Sequence, residues 1–128
     1  MGSLRGNILI VDDLDFMRRE LKRILTLEGA AVAGEAADGR DGFYSYMRLK
    51  PDVVLLDIAM PRMDGLTALK KIKEYDPGAS VVMCSALGER RMIIQAIRLG
   101  AEEFIVKPFQ PERVIGAVSS VLRARGKL

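Results

Sequence analysis

The chain has 128 residues, with 20 lysines and arginines against 17 aspartates and glutamates, so its formal charge at pH 7 is +3. This length suits one domain with a substantial hydrophobic core. A single cysteine, Cys84, excludes an internal disulfide framework, and we expect neither export nor membrane insertion, which places the protein in the cytoplasm. The small excess of positive charge permits an acidic partner without requiring one.

Short, β-rich segments alternate along the chain with stretches of helical periodicity. The segments that predict strands are 7–11, 30–35, 52–56, 80–84 and 103–106. Apolar residues recur at helical spacing within 14–25, 43–47, 66–72, 93–97 and 114–122, and the second of these patterns is the weakest. Strict alternation implies right-handed crossovers, so we predict a doubly wound α/β fold: five parallel strands with helices on both faces of the sheet.

Residues typical of helix boundaries support these assignments. Asp38 and Asp64 are suited to cap helix N-termini, and Pro111 is suited to the first position of the last helix. Gly29 and Gly100 stand where the first and fourth helices should end.

The segment DVVLLDIAMPRMDG, residues 52–65, places a carboxylate directly after a run of four apolar residues. Such a run is typical of a strand buried on both faces, where a carboxylate would be costly unless the chain emerges at that point. Asp57 should therefore lie at the carboxyl end of the third strand. Ligands of doubly wound sheets bind beyond these ends. The residues expected at this edge are Asp12, Asp13, Asp57, Ser85 and Lys107.

Three neighbouring carboxylates repel one another and need a cation or a raised pKa. Mg²⁺ fits best, since it is typically held by one or two carboxylates together with water and phosphate oxygens. A site that adds a lysine and a hydroxyl is suited to phosphoryl transfer. Aspartate can accept a phosphoryl group, and Asp57 is the candidate acceptor.

Four sequence blocks carry a family resemblance: ILIVDD, LLDIAMPRMDG, MCSA and FIVKPF. In order and spacing they resemble the receiver domain of two-component response regulators, over nearly the whole chain. The blocks MCSALG and GAEEFIVKPFQPERV are most similar to the stand-alone chemotaxis regulators of that family. The resemblance implies a flavodoxin-like fold, with Asp57 as phospho-acceptor and Mg²⁺ held by Asp12, Asp13, Asp57 and the backbone carbonyl of Ala59.

The resemblance also implies roles for residues of the fourth and fifth strands. Ser85 and Lys107 would bind the phosphoryl oxygens, and Phe104 would occupy the aromatic switch position. Threonine is also common at the position of Ser85, and tyrosine is frequent at that of Phe104, so this ring has no hydroxyl to offer a partner. The small side chain of Ala59 leaves the phosphoryl site open, which would favour hydrolysis of the phosphoryl group.

The function expected from these residues is a phosphorylation-controlled signalling switch, which catalyses only its own phosphorylation and dephosphorylation. The chain contains no histidine, so a sensor histidine kinase must supply the phosphoryl group. The family's output surface lies on helix four, strand five and helix five. An output protein such as a flagellar motor switch component or a phosphatase would bind there, with no nucleic acid bound directly, no membrane, and a monomer or weak dimer as the oligomeric state.

Three alternatives remain open at this point: a phosphorelay intermediate, a receiver domain excised from a longer regulator, and an aspartyl-phosphate phosphohydrolase. We expect residues 1–6 to be a flexible start that an expression vector could have supplied. The receiver domain should span 7–124, followed by a short basic tail over 125–128.

Overall fold

A computed structural model describes residues 4–86 and 89–128. In this part of the chain, five strands and five helices alternate strictly. The strands are β1 (Asn7–Val11), β2 (Ala31–Ala36), β3 (Val53–Asp57), β4 (Val81–Ala86) and β5 (Glu103–Lys107). The helices are α1 (Asp15–Leu27), α2 (Gly39–Leu49), α3 (Gly65–Tyr75), α4 (Arg90–Arg98) and α5 (Pro111–Ala124).

The five strands form one parallel sheet in the order β2-β1-β3-β4-β5. The predicted doubly wound α/β fold is therefore confirmed. The order reverses at β1, which pairs with β2 on one side and with β3 on the other. This switch point makes the carboxyl ends of β1 and β3 neighbours, although many residues separate them in sequence.

Hydrophobic side chains form a core on each face of the sheet. One cluster packs α1 and α5 against the sheet and includes Ile10, Leu25 and Val118. The other packs α2, α3 and α4 and includes Leu56 and Leu69. All five residues of β3 are buried, as the uninterrupted apolar run predicts for a central strand covered on both faces.

Several element boundaries and one core assignment differ from the sequence prediction. β3 extends to Asp57, and β4 extends to Ala86, so Ser85 lies within a strand and not after one. Ile97 is 53% exposed instead of buried, because Ala96 is the residue of α4 that enters the core. The weak second helical pattern does form a helix, whose N-terminus is capped by Asp38.

The two ends of the described chain are packed against the domain. Leu4 is buried in the core, and its amide donates to the carbonyl of Glu28, so a domain boundary at residue 7 omits a core residue. Arg125 donates to the carbonyl of Gly78 and the hydroxyl of Ser80, so the expected basic tail begins with an anchored residue. Among the described residues, no helix combines the length and the apolar character needed to cross a membrane.

Gly65 provides a test of the packing beneath the site. A Cβ at this position would lie 2.0 Å from the backbone carbonyl oxygen of Asp57, which has no flexible end to move aside. Gly65→Ala should lower the free energy of unfolding in urea by about 2 kcal/mol or more, since overpacking typically costs ~1–3 kcal/mol. The control is Gly116→Ala on α5, where the added Cβ meets no heavy atom within 4 Å and should stabilise by up to ~1 kcal/mol. Equal stability of the Gly65→Ala variant and the parent would contradict this packing.

Candidate functional site

Three carboxylates converge at the switch point of the sheet. Asp12 and Asp13 follow β1, and Asp57 ends β3. Each residue offers a carboxylate oxygen, and these oxygens all lie within 4.8 Å of one another. Asp12 and Asp57 are almost fully buried, with 1% and 5% of their surface exposed, whereas Asp13 is exposed. The predicted cluster therefore forms, and it opens to solvent at Asp13.

Lys107 supplies a positive charge to this cluster from the other side of β4. Its Nζ lies 2.8 Å from Oδ2 of Asp12 and 3.3 Å from Oδ1 of Asp57. The Lys107–Pro108 peptide bond is cis. Burial opposes the charge of Lys107, but hydrogen bonding to Asp12 and the charges of Asp57 and Asp12 outweigh it, so the pKa of Lys107 lies above its ordinary value. Lysine and carboxylates thus form one charged unit.

The carboxyl group of Asp57 has a strongly perturbed proton affinity. Burial is the main cause, and the negative charge of Asp12 adds to it; Lys107 only partly offsets both, so the pKa of Asp57 rises to about 6. A hard divalent cation would counter this excess of negative charge. The donor set of clustered carboxylate oxygens, open to water at Asp13, fits Mg²⁺, which keeps several waters and takes few protein ligands.

Ser85 contributes a buried hydroxyl near the end of β4, the strand next to the one that carries Asp57. Its Oγ is fully buried, and no hydrogen-bond partner is found for it among residues 4–86 and 89–128. Leaving a buried hydroxyl unpaired costs about 1–3 kcal/mol. Ser85 follows Cys84, the residue paired with Asp57 in the register between β3 and β4. At the carboxyl edge of the sheet, this hydroxyl is therefore a donor for which the described part of the chain offers no acceptor.

Phe104 lies on the same face of the sheet as Ser85. Ser85 is paired with Val106 and Phe104 with Met83, so the two residues are diagonal neighbours across β4 and β5. The ring of Phe104 is partly buried against the core cluster of α2, α3 and α4. Phe104 is therefore a neighbour of the buried serine on the face of the sheet that α4 helps to cover.

Two arginines hold the loops of the site and were missed from the sequence. Arg18 of α1 donates from Nη1 to the carbonyl of Asp12 at 2.5 Å, and so fixes the loop after β1. Arg62, in the loop after β3, donates from Nε to Oδ2 of Asp38 at 2.6 Å. Sequence spacing gives no signal for the second contact, because its partners are 24 residues apart and lie in different loops.

Comparison with known proteins places this geometry in context. The family model described as the response regulator receiver domain matches residues 8–119. The chemotaxis protein CheY of Thermotoga maritima is 53% identical over 114 residues, which cover 89% of this chain and 95% of the relative. The CheY of Bacillus subtilis is 50% identical over 115 residues, covering 90% and 96%.

Solved structures give the same result. The crystal structure of the CheX–CheY–BeF3–Mg²⁺ complex from Borrelia burgdorferi matches with a TM-score of 0.87 and 42% identity, covering 91% of this chain and 88% of that chain. In the present chain, the strand order predicts that a ligand binds at the carboxyl edge of the sheet, and the site residues lie at this edge.

The raised pKa of Asp57 predicts a specific dependence of stability on pH. The pKa of Asp57 is about 6 in the folded state, against an ordinary value of 3.8. Between these two pH values the folded state therefore binds more protons than the unfolded state, and the stability of the fold decreases as the pH rises. Above about pH 6, the ionised carboxylate of Asp57 lowers the stability of the fold by its full amount, about 3 kcal/mol at most. Without divalent cations, Asp57→Asn should therefore raise the free energy of unfolding by about 1–3 kcal/mol near pH 7.5, and by little near pH 4.

Urea denaturation at both pH values in the presence of a chelator measures this difference. Glu74→Gln, which removes an exposed carboxylate from α3, is the matched control. A stability gain from Asp57→Asn that does not grow between about pH 4 and about pH 7.5 would contradict a raised pKa.

Proposed function

We propose, because this chain belongs to the response regulator receiver domain family, that Asp57 accepts a phosphoryl group and that the added charge switches a surface recognised by another protein. A receiver domain related to the CheY proteins is a signalling switch and not a classical enzyme. The relationship is consistent with chemotaxis signalling. The acceptor, the metal ligands, the switch residues and the partners named below are parts of this proposal.

The observation that carries the proposal is the placement of Asp57 between carboxylates and an ammonium group. An Oδ atom of Asp57 attacks the phosphorus of a phosphohistidine, so that an O–P bond forms while the N–P bond breaks and imidazole leaves. Because the chain has no histidine, the phosphohistidine belongs to a sensor histidine kinase. Lys107 is close enough to both Asp57 and Asp12 to balance negative charge as it moves onto the phosphoryl oxygens.

Asp12, Asp13 and Asp57 would hold Mg²⁺, together with the backbone carbonyl of Ala59. When bound, the ion would supply charge neutralisation for the phosphoryl oxygens. Support comes from the convergence of the three carboxylates and from the exposure of Asp13 and Ala59, which leaves the cluster accessible. The related Borrelia burgdorferi structure contains BeF3 and Mg²⁺ together with its CheY.

Ser85 and Phe104 would link the chemistry to the protein surface. The hydroxyl of Ser85, which has no partner within 4–86 and 89–128, can donate to a phosphoryl oxygen, and Lys107 can donate to another. If Ser85 is drawn towards the phosphoryl group, Phe104 can turn inward into the space above β4. Shifting a two-state equilibrium from 1:99 to 99:1 needs roughly 5.5 kcal/mol. Charge-assisted hydrogen bonds at ~1.5–3 kcal/mol each can supply this.

The surface of α4, β5 and α5 is the proposed binding site for the output protein. On α4, Ile94 and Ile97 are exposed by 45% and 53%. Exposed Arg90, Arg91 and Arg98 accompany them on the same helix. Apolar side chains with basic neighbours suit a protein partner that presents apolar and acidic residues, such as a flagellar motor switch component or a phosphatase.

Labelling with a small phosphodonor tests the acceptor directly. Acetyl phosphate with Mg²⁺ should label the parent protein at Asp57, and hydroxylamine should release the label because it is an acyl phosphate. Asp57→Asn should remove the label, and Asp13→Ala should abolish the Mg²⁺-dependent labelling, because the variant lacks one of the proposed metal ligands. Asp52→Asn is the control, since Asp52 directly precedes β3, at the end opposite to Asp57, and should leave labelling unchanged. Label that resists hydroxylamine, or that persists in Asp57→Asn, would rule out this acceptor.

A further inference from the structure

We propose that Arg62 is a positioning residue for the metal and phosphoryl site, because its ion pair with Asp38 fastens the loop after Asp57 to the N-terminus of α2. The inference rests on the function proposed for Asp57 and extends it to a residue outside the ligand set. It concerns the loop 58–64, which carries Ala59 and joins β3 to α3.

Arg62 has a backbone conformation that arginine rarely adopts. Its φ is +64°, in the left-handed region that favours glycine. The amide of Met63 donates to the carbonyl of Pro61 at 2.7 Å, so Arg62 is the central residue of a three-residue turn. Such turns with a positive central φ are rare and strained. An arginine at this position is therefore explained by what its side chain contributes.

The side chain of Arg62 contributes a bond to a buried carboxylate. Its Nε lies 2.6 Å from Oδ2 of Asp38, which is only 1% exposed, while Oδ1 of Asp38 accepts the amide of Asp41 at 2.8 Å. The Asp41 amide lowers the pKa of Asp38 most; burial opposes it, and Arg62 lowers it further. Both oxygens of Asp38 are thus engaged, one by its own helix and one by the loop. Asp38 is buried whereas the Arg62 side chain is 63% exposed, so this pair differs from a salt bridge between two exposed side chains.

The next loop residue is attached to the same helix end. The amide of Gly39 donates to the carbonyl of Met63 at 2.9 Å. A Cβ at Gly39 would lie 2.3 Å from that carbonyl oxygen, so the two backbones are in close contact. Two successive residues, Arg62 and Met63, therefore fix the tip of the loop to the first turn of α2.

The segment 36–39 contacts both loops that adjoin the acidic cluster, the loop after β1 and the loop 58–64 after β3. Its first residue, Ala36, accepts the amide of Asp12 at 3.0 Å and so holds the loop after β1. Its last two residues, Asp38 and Gly39, hold the loop after β3. This short segment therefore connects the two loops, in addition to the pairing of β1 with β3. A cation bound by residues of both loops is sensitive to the distance between the loops, because Mg²⁺ tolerates little deviation from its preferred geometry.

Comparing two glycine substitutions tests the proposal. Lys50, at the opposite end of α2, also has a positive φ, of 45°. Arg62→Gly and Lys50→Gly both replace an exposed basic residue in this conformation with glycine, but only Arg62→Gly removes the partner of Asp38. We expect Arg62→Gly to weaken Mg²⁺ binding roughly tenfold, the low end of the effect of outer-shell residues. Lys50→Gly should bind Mg²⁺ as the parent does.

Isothermal titration with Mg²⁺ measures the affinity, and circular dichroism checks that both variants retain the fold. Asp38→Asn should give the same loss as Arg62→Gly, since asparagine keeps a capping oxygen without the ion pair. The double variant should lose no more than either single variant, as expected for two residues acting through one contact. Equal Mg²⁺ affinity of Arg62→Gly and Lys50→Gly would overturn the inference.

The proposed function and this inference fail in different ways. A parent protein that binds no Mg²⁺ and takes no label at Asp57 would overturn the function, and the inference with it. A parent that does both, together with an Arg62→Gly variant that does both equally well, would overturn only the role of Arg62.

Discussion

Electrostatic repulsion between carboxylates at the end of two neighbouring strands is the constraint on which the site depends. The strand order makes β1 and β3 neighbours, so the segments that follow these two strands lie close together. Repulsion between the carboxylates on these segments is therefore unavoidable. Asp12 and Asp57 are buried there, where water can do little to screen their charges. The fold therefore holds negative charge in a place where only a cation, an ammonium group or a proton can balance it.

Lys107 relieves part of this repulsion, and Ser85 adds a second local cost near it. Lys107 reaches across from β5 to contact Asp12 and Asp57, yet burial and the charge of Asp12 still raise the pKa of Asp57 to about 6, so one ammonium group does not suffice. Ser85 adds a buried hydroxyl without an acceptor among the described residues. Both features cost stability in the folded protein. Natural proteins concentrate such locally unfavourable arrangements at functional sites.

The sequence patterns predicted the fold and the identity of the clustered residues because both follow from local rules. An apolar run followed by a carboxylate marks the end of a buried strand, and the alternation of strands and helices places these ends at one edge of the sheet. The ends of the strands were less well predicted. The predicted fourth strand ends at residue 84, whereas pairing with β5 extends β4 to Ala86. Within the apolar pattern 93–97, Ala96 is buried whereas Ile97 is 53% exposed, so helical spacing alone does not identify the residues that face the core.

The contacts that hold the loops could not be predicted from the sequence. Arg62 and Asp38 are 24 residues apart, and Arg18 contacts a backbone carbonyl, so neither pair leaves a periodic signal. Leu4 is buried in the core, and its amide donates to the carbonyl of Glu28 at the end of α1. No pattern within residues 1–6 indicates this contact. Such contacts depend on the finished arrangement of elements, whereas periodicity reports only which face of an element is apolar.

The central claim is that the carboxylate cluster is a cation site, and nuclear magnetic resonance of the parent protein during a titration with Mg²⁺ tests it most directly. The account predicts saturable changes in the amide signals of Asp12, Asp13, Asp57, Ala59 and Lys107, with the far edge of the sheet unaffected. A titration without saturable changes, or with changes confined to residues away from this cluster, would contradict it.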